Sequence, residues 1–482
     1  MQESSEQALK QPKVFYLSCL TTLCERFGAY AISFLLVIYA KVIFQYSDTE
    51  AFALFAIFNA LAYLTPAIGG YLADNFIGIR RCIILGLVLE CVGLALLAST
   101  IEVIFLLGLS LVIIGIGLFK TGPTDLMARD YGEHDPRIDS GFTLFYMSIN
   151  IGVLFAAVVF GFVLKFFGWH WTFIAASSTL ILSLLVYFVL RESAAKDDSE
   201  PGKAKLSIKL KLLLPLGVIL SAIIFTAMLY YINIANIFFV IVTSLVIVYF
   251  LFEIIRSPKD EKLRIIACLF LILVGFVFFV MYFQYYESMV LFIKRSVDHK
   301  IFGFEFPITI FLSFNAVWII LLSPVLAWLY KYLGKRGKDL AVTTKFPLGV
   351  LITSLCFFTL VASQYFLNSN MQISPAWVFF AMLFYSLGEL LVSALGVAMV
   401  AHIAPERMYG VMMGAWFLMG MAMASSVSGR VAAWASVPAS ITDPLQIFQI
   451  YMHAFFRIGM IGLVCAVVIF MFSPYIKRIA NL

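Results

Sequence analysis

Two adjacent ionisable residues, Glu25 and Arg26, interrupt an apolar run over residues 14–42 that is long enough to cross a bilayer. At a rise of about 1.5 Å per residue they fall roughly 15–18 Å along that helix, near mid-membrane. An ionised pair at that depth is costly unless it is solvated or partnered. A polar cavity shared with other helices meets that need, so the pair reads as the lining of a pathway. Glu90, Lys120, Glu287, Glu389, Arg430, His453 and Arg457 also lie within apolar runs. The last three sit near run ends or beside polar neighbours and read as snorkelling side chains or members of a structural bond. Glu90 is a lone acid for which structural and functional roles both stay open. Lys120 follows a glycine-patterned stretch that permits close packing, and its expected partner lies across a helix interface.

The elements that must position these residues are membrane helices. Hydrophobic residues make up 63% of the 482 and charged residues only 12%, against about a quarter charged in soluble domains. Long unbroken apolar runs exclude a transmembrane barrel, whose segments are short and alternating. The net charge of +6 comes from Lys and Arg in short loops, which reports orientation and no nucleic-acid partner. The seven cysteines show no CxxC spacing and imply neither metal site nor disulfide framework. Residues 115–121 resemble a phosphate loop only faintly, because Phe119 stands where glycine must precede the lysine. His134, Asp135 and Asp139 read as a loop salt-bridge network rather than a metal cluster. No enzyme signature survives, and no cofactor is implied.

Runs of about 20 apolar residues fall near 14–42, 49–72, 81–99, 101–121, 140–166, 169–191, 212–232, 234–255, 264–293, 306–333, 346–367, 376–401, 408–435 and 447–475. The expected fold is therefore all-α and polytopic with 14 crossings. Basic residues in alternate loops put both termini in the cytoplasm; Lys294, Arg295 and Lys300 fall on the opposite side by parity. Charged linkers at 192–211 and 256–262 set apart two crossings with almost no polar residue beyond Asn233 and Asn236. The expected organisation is a tail (1–13), a six-helix bundle (14–191), linkers and a two-helix insertion (192–262), a second six-helix bundle (263–475) and a tail (476–482), with a cavity between the bundles.

Several segments resemble the proton-dependent oligopeptide transporters, a branch of the major facilitator superfamily. Gly69-Gly70-Tyr71-Leu72-Ala73-Asp74 with Gly78 is similar to that family's loop signature, and Phe145-Tyr146 through Ile149-Asn150 to Gly152 to its FYxxINxG motif. Ser386-Leu387-Gly388-Glu389 through Ser393, and Met413-Gly414-Ala415-Trp416-Phe417, are similar to its second-half motifs. The resemblance implies a secondary transporter importing di- and tripeptides by alternating access in the bacterial inner membrane, working as a monomer, with protons and the lipid bilayer as its other partners. Arg26 and Lys120 would take the peptide carboxylate and Glu389 its ammonium, with Tyr30, Tyr39, Asn150, Gln284, Ser393 and Trp416 around them. A zwitterion needs opposite charges at its two ends, and unselective pockets must be roomy and apolar.

The chain departs from the pattern in the first-helix ExxER motif, where Thr22 replaces the first glutamate. Adjacent helical residues point apart, so Glu25 is not expected to compensate Arg26, whose partner should come from another helix, the substrate or water. Ser33 and Phe283 also stand where many members carry an arginine and a glutamate. Glu287, one turn beyond Phe283, is a candidate for proton duties or an acid pairing Lys294 or Arg295. The proton-coupling candidates are thus Glu25, Glu287 and Glu389, with Glu25 leading. An alternative cargo, such as peptide-like drugs, modified amino acids or another small metabolite with altered proton coupling, fits the same fold.

Overall fold

The computed structural model describes residues 10–131, 135, 137–336 and 342–479. The outer parts of both tails, and His134 of the loop network, lie outside the described residues. Each apolar run folds as a helix because a backbone in hydrocarbon must satisfy its own N–H and C=O groups. In chain order these are α1 (Lys13–Ile43), α2 (Asp48–Leu72), α3 (Ile79–Leu96), α4 (Glu102–Phe119), α5 (Ile138–Leu190), α6 (Ile208–Tyr230), α7 (Ile232–Arg256), α8 (Lys259–Phe283), α9 (Ser288–Ser296), α10 (Phe314–Lys335), α11 (Val342–Ala362) and α12 (Pro375–Ile403). The segment Tyr409–Ala415, a π-helical stretch Trp416–Ala422 and Met423–Ala432 make a further crossing, and α13 (Pro444–Ile479) ends the series.

Among the described residues, twelve helices are long and apolar enough to span a membrane by length and composition. One of them, α5, holds two crossings, broken where Gly168 takes φ +80°, a conformation that favours glycine. The short helix α3, with Arg80, Arg81 and Glu90 in 18 residues, is a further crossing, which brings the count to the 14 expected.

One expectation about continuity is corrected. The run 264–293 is not one helix: α8 ends at Phe283, and Glu287 adopts φ −110° and ψ −96° ahead of α9. The strongly apolar stretches on either side, 265–283 and 289–293, hide that break from a hydropathy window about 19 residues wide. The 192–211 linker is docked on the first helices. Ser199 Oγ donates to the Ala73 carbonyl, Arg81 donates to the carbonyls of Pro201 and Ala204, and the Arg80 amide donates to Asp198 Oδ1.

By packing, the chain falls into two units. One unit takes in the chain through Ser33 and then Leu64–Tyr230; the other takes Phe34–Tyr63 and the chain from Tyr231 onward. The insertion is thereby shared, α6 falling in the first unit and α7 in the second. Both present mostly exposed apolar side chains, as a lipid-facing hairpin should.

Candidate substrate and proton site

In the first unit the charges gather where α1, α3 and the end of α4 meet. Glu25 and Glu90 are completely buried. Arg26 Nε lies 2.8 Å from Glu25 Oε2, which corrects the expectation that neighbours on one helix cannot pair. Both side chains are long enough for the guanidinium to curl back over the roughly 100° that separates adjacent residues. Lys120, just past the last residue of α4, exerts its charge on Glu25 and Arg26. Gly152 explains how α5 closes over it: a Cβ there would fall 2.6 Å from the Leu23 carbonyl and 3.1 Å from Arg26 Cβ. Two residues earlier, Asn150 donates through Nδ2 to the Tyr146 carbonyl at 2.9 Å. Tyr30 is half-buried on α1, one turn beyond Arg26.

In the second unit Glu389, 8% exposed on α12, is held by neutral groups. Asn315 Nδ2 donates to Oε2 at 3.0 Å and the Tyr282 hydroxyl to Oε1 at 3.3 Å. Asn315 is fixed in turn by Ser386, donating to its Oγ at 3.0 Å. The Tyr282 ring stacks on Tyr385 at 5.2 Å, and the Tyr385 hydroxyl donates to the Tyr282 carbonyl at 2.8 Å. Among the described residues no cationic side chain pairs with Glu389. A carboxylate kept in place by neutral donors is oriented but not neutralised, the state suited to meeting an external cation.

Glu287 is not the helical acid the sequence suggests, nor does it pair Lys294 or Arg295. It is fully buried at the α8–α9 break, where Ser428 Oγ donates to Oε1 at 2.7 Å and Gln284 Nε2 approaches Oε2 at 3.4 Å. Gln284 also donates to the Ser428 carbonyl at 3.1 Å. Arg295 instead forks onto Asp48, Nη1 to Oδ2 at 2.6 Å and Nη2 to Oδ1 at 2.9 Å, with Lys41 Nζ at 2.5 Å from Oδ1. That buried acid accounts for a basic residue on the side where parity disfavours one.

Two named pocket residues are enclosed. Trp416 is fully buried, its ring filling the space that Cβ atoms on Gly275 and Gly396 would occupy, with Phe279 at 6.0 Å. Tyr39 is 1% exposed and packs edge-on against Phe44 at 5.5 Å. Ser393 is half-buried, one turn past Glu389 on α12. Tyr282, Asn315 and Tyr385 were not singled out from the sequence. Asn315, a lone amide in an apolar run, was the available signal; the tyrosines are indistinguishable from ordinary core aromatics. A 370 Å³ groove between α7 and α8 and a 330 Å³ groove beside α6 are lined almost wholly by apolar side chains and suit lipid rather than a zwitterion.

Fourteen membrane helices carrying buried, oriented charges of both signs define a polytopic transporter of the major facilitator class. The POT family model matches residues 80–450. Dipeptide and tripeptide permease B of Salmonella typhimurium is 35% identical over 476 residues, 98% of this chain and 97% of that permease. The namesake from Xenorhabdus bovienii is also 35% identical, with 97% and 96% covered. A solved bacterial homologue of the human drug peptide transporters superposes with TM-score 0.87 at 30% identity, covering 97% of this chain and 100% of the other. A peptide transporter solved in complex with alafosfalin superposes with TM-score 0.85 at 25% identity, covering 98% and 97%. The chain belongs to the POT family, and it is a multi-pass inner-membrane protein.

Proposed function

We propose that this protein imports di- and tripeptides by proton-coupled alternating access, with Arg26 and Lys120 taking the peptide carboxylate and Glu389 its ammonium group. One observation carries this reading: among the described residues Glu389 is a nearly buried carboxylate held by neutral donors alone, while Arg26 and Lys120 belong to a separate charged cluster with Glu25. A dipolar solute carries a group of the opposite sign for each, whereas a net-charged solute matches one and opposes the other. The 35%-identical permeases are named for dipeptides and tripeptides, which supports the cargo. Both termini are cytoplasmic on the distribution of Lys and Arg in the loops. The working unit is a single chain, since every residue of the grip comes from one copy, although a solved relative is tetrameric. Binding, reorientation and release make up the whole cycle, with no enzymatic step.

The test is uptake of labelled dialanine by proteoliposomes, competed by tripeptides and free amino acids. Competition by tripeptides but not by amino acids is expected, and equal competition by single amino acids would overturn the cargo assignment. A second reading keeps the fold and admits peptide-like drugs. Ser33 and Phe283, where many members carry charges, and the relative solved with alafosfalin support it; competition by that compound decides between them.

A further inference from the structure

Glu90 has no part in the peptide grip, yet the fold buries it completely. The α1 and α3 helices bring the carboxyl groups of Glu25 and Glu90 within hydrogen-bonding reach of each other. None of their four oxygens meets a donor aligned for a hydrogen bond. Gly115 of α4 makes the room, because a Cβ there would overlap Glu90 Cγ. The charged groups acting on the two acids are Arg26, from α1 itself, and Lys120, from the end of α4. Thr22, also buried on α1, offers only a hydroxyl one turn before Arg26.

An ionised carboxylate only accepts hydrogen bonds, so two of them can bond to each other only through a proton. We propose that Glu25 and Glu90 form one proton-sharing pair, and that this pair, rather than Glu25 alone, carries the coupling proton. With one proton between them the two acids hold a single negative charge beside Arg26 and Lys120. Uptake of a second proton makes the pair neutral and turns both cations toward the peptide carboxylate. When the peptide leaves on the other side, the same number of protons is released and the single negative charge returns. Only O–H bonds are made and broken. The second acid that α1 lacks at position 22 is thus delivered from α3.

This inference rests on the proton-coupled transport reading, and two assays on the full-length protein in proteoliposomes separate them. Counterflow exchange of labelled dialanine needs no net proton movement, whereas accumulation driven by an imposed pH gradient does. Glu90→Gln should keep counterflow within about twofold of the parent while gradient-driven accumulation falls about tenfold or more. Glu90→Asp, which keeps a carboxyl, should retain accumulation with a displaced pH profile. Gradient-driven accumulation by Glu90→Gln at the parental level would overturn the pair and leave Glu25 as sole carrier. Equal loss of both activities in Glu90→Gln, with Glu90→Asp keeping the parental pH profile, would overturn it in favour of a structural acid. A parent protein without counterflow would instead sink the cargo reading.

Discussion

Replacing Glu389 with Gln isolates the charge of the ammonium site from its shape. The amide oxygen of the variant can still accept from Asn315 Nδ2, now 3.0 Å from Oε2, and the new amide nitrogen can donate to the Tyr282 hydroxyl, which sits 3.3 Å from Oε1. Both local bonds survive, so the fold should be unaffected. What disappears is a charge-assisted contact to the peptide ammonium. Such bonds contribute about 1.5–3 kcal/mol against about 0.5–1.5 kcal/mol for neutral ones. The difference of about 1–2 kcal/mol corresponds to a roughly 5- to 30-fold weaker dissociation constant. Titration calorimetry on purified protein should show that loss for dialanine and a change below about twofold for N-acetyl-dialanine, which brings no ammonium group. Equal weakening of both ligands would refute the reasoning and make Glu389 a folding or gating residue.

Other consequences follow from the packing. Asp48→Asn leaves Lys41 and Arg295 facing each other with their common counter-ion gone; because both keep about a fifth of their side-chain surface exposed, a loss of about 3 kcal/mol, the low end for a broken buried pair, is expected from thermal unfolding in detergent. An unchanged Tm would show that the cluster is idle. Trp416→Ala should cost about 3–5 kcal/mol by opening a cavity against Gly275 and Gly396. Trp416→Phe should cost far less than that, because the indole nitrogen meets no acceptor, and similar losses for the two variants would contradict the packing role.

Hydropathy alone reveals the helices because hydrocarbon accepts little else, the ionisable residues inside those helices stand out by their cost, and the resemblance to the family singles out Arg26, Lys120 and Glu389 among them. Contacts that depend on which helix faces which were not legible. Glu90 looks solitary along α3, and only the meeting of α1 with α3 makes it a neighbour of Glu25. Helical-wheel reasoning set Glu25 and Arg26 apart, whereas side-chain length brings them to 2.8 Å. The α8–α9 break is masked in hydropathy by the apolar residues on either side of it, and it moves Glu287 from a helix face into the bonds of Ser428 and Gln284. Tyr282 and Asn315 become site residues only through the approach of α8 and α10 to α12.

The most direct measurement is accumulation of labelled dialanine in proteoliposomes with and without an imposed pH gradient, acidic on the side from which peptide enters. The account expects concentration above the equilibrium level only with the gradient, abolished by a protonophore. Accumulation that is the same in both conditions would contradict it.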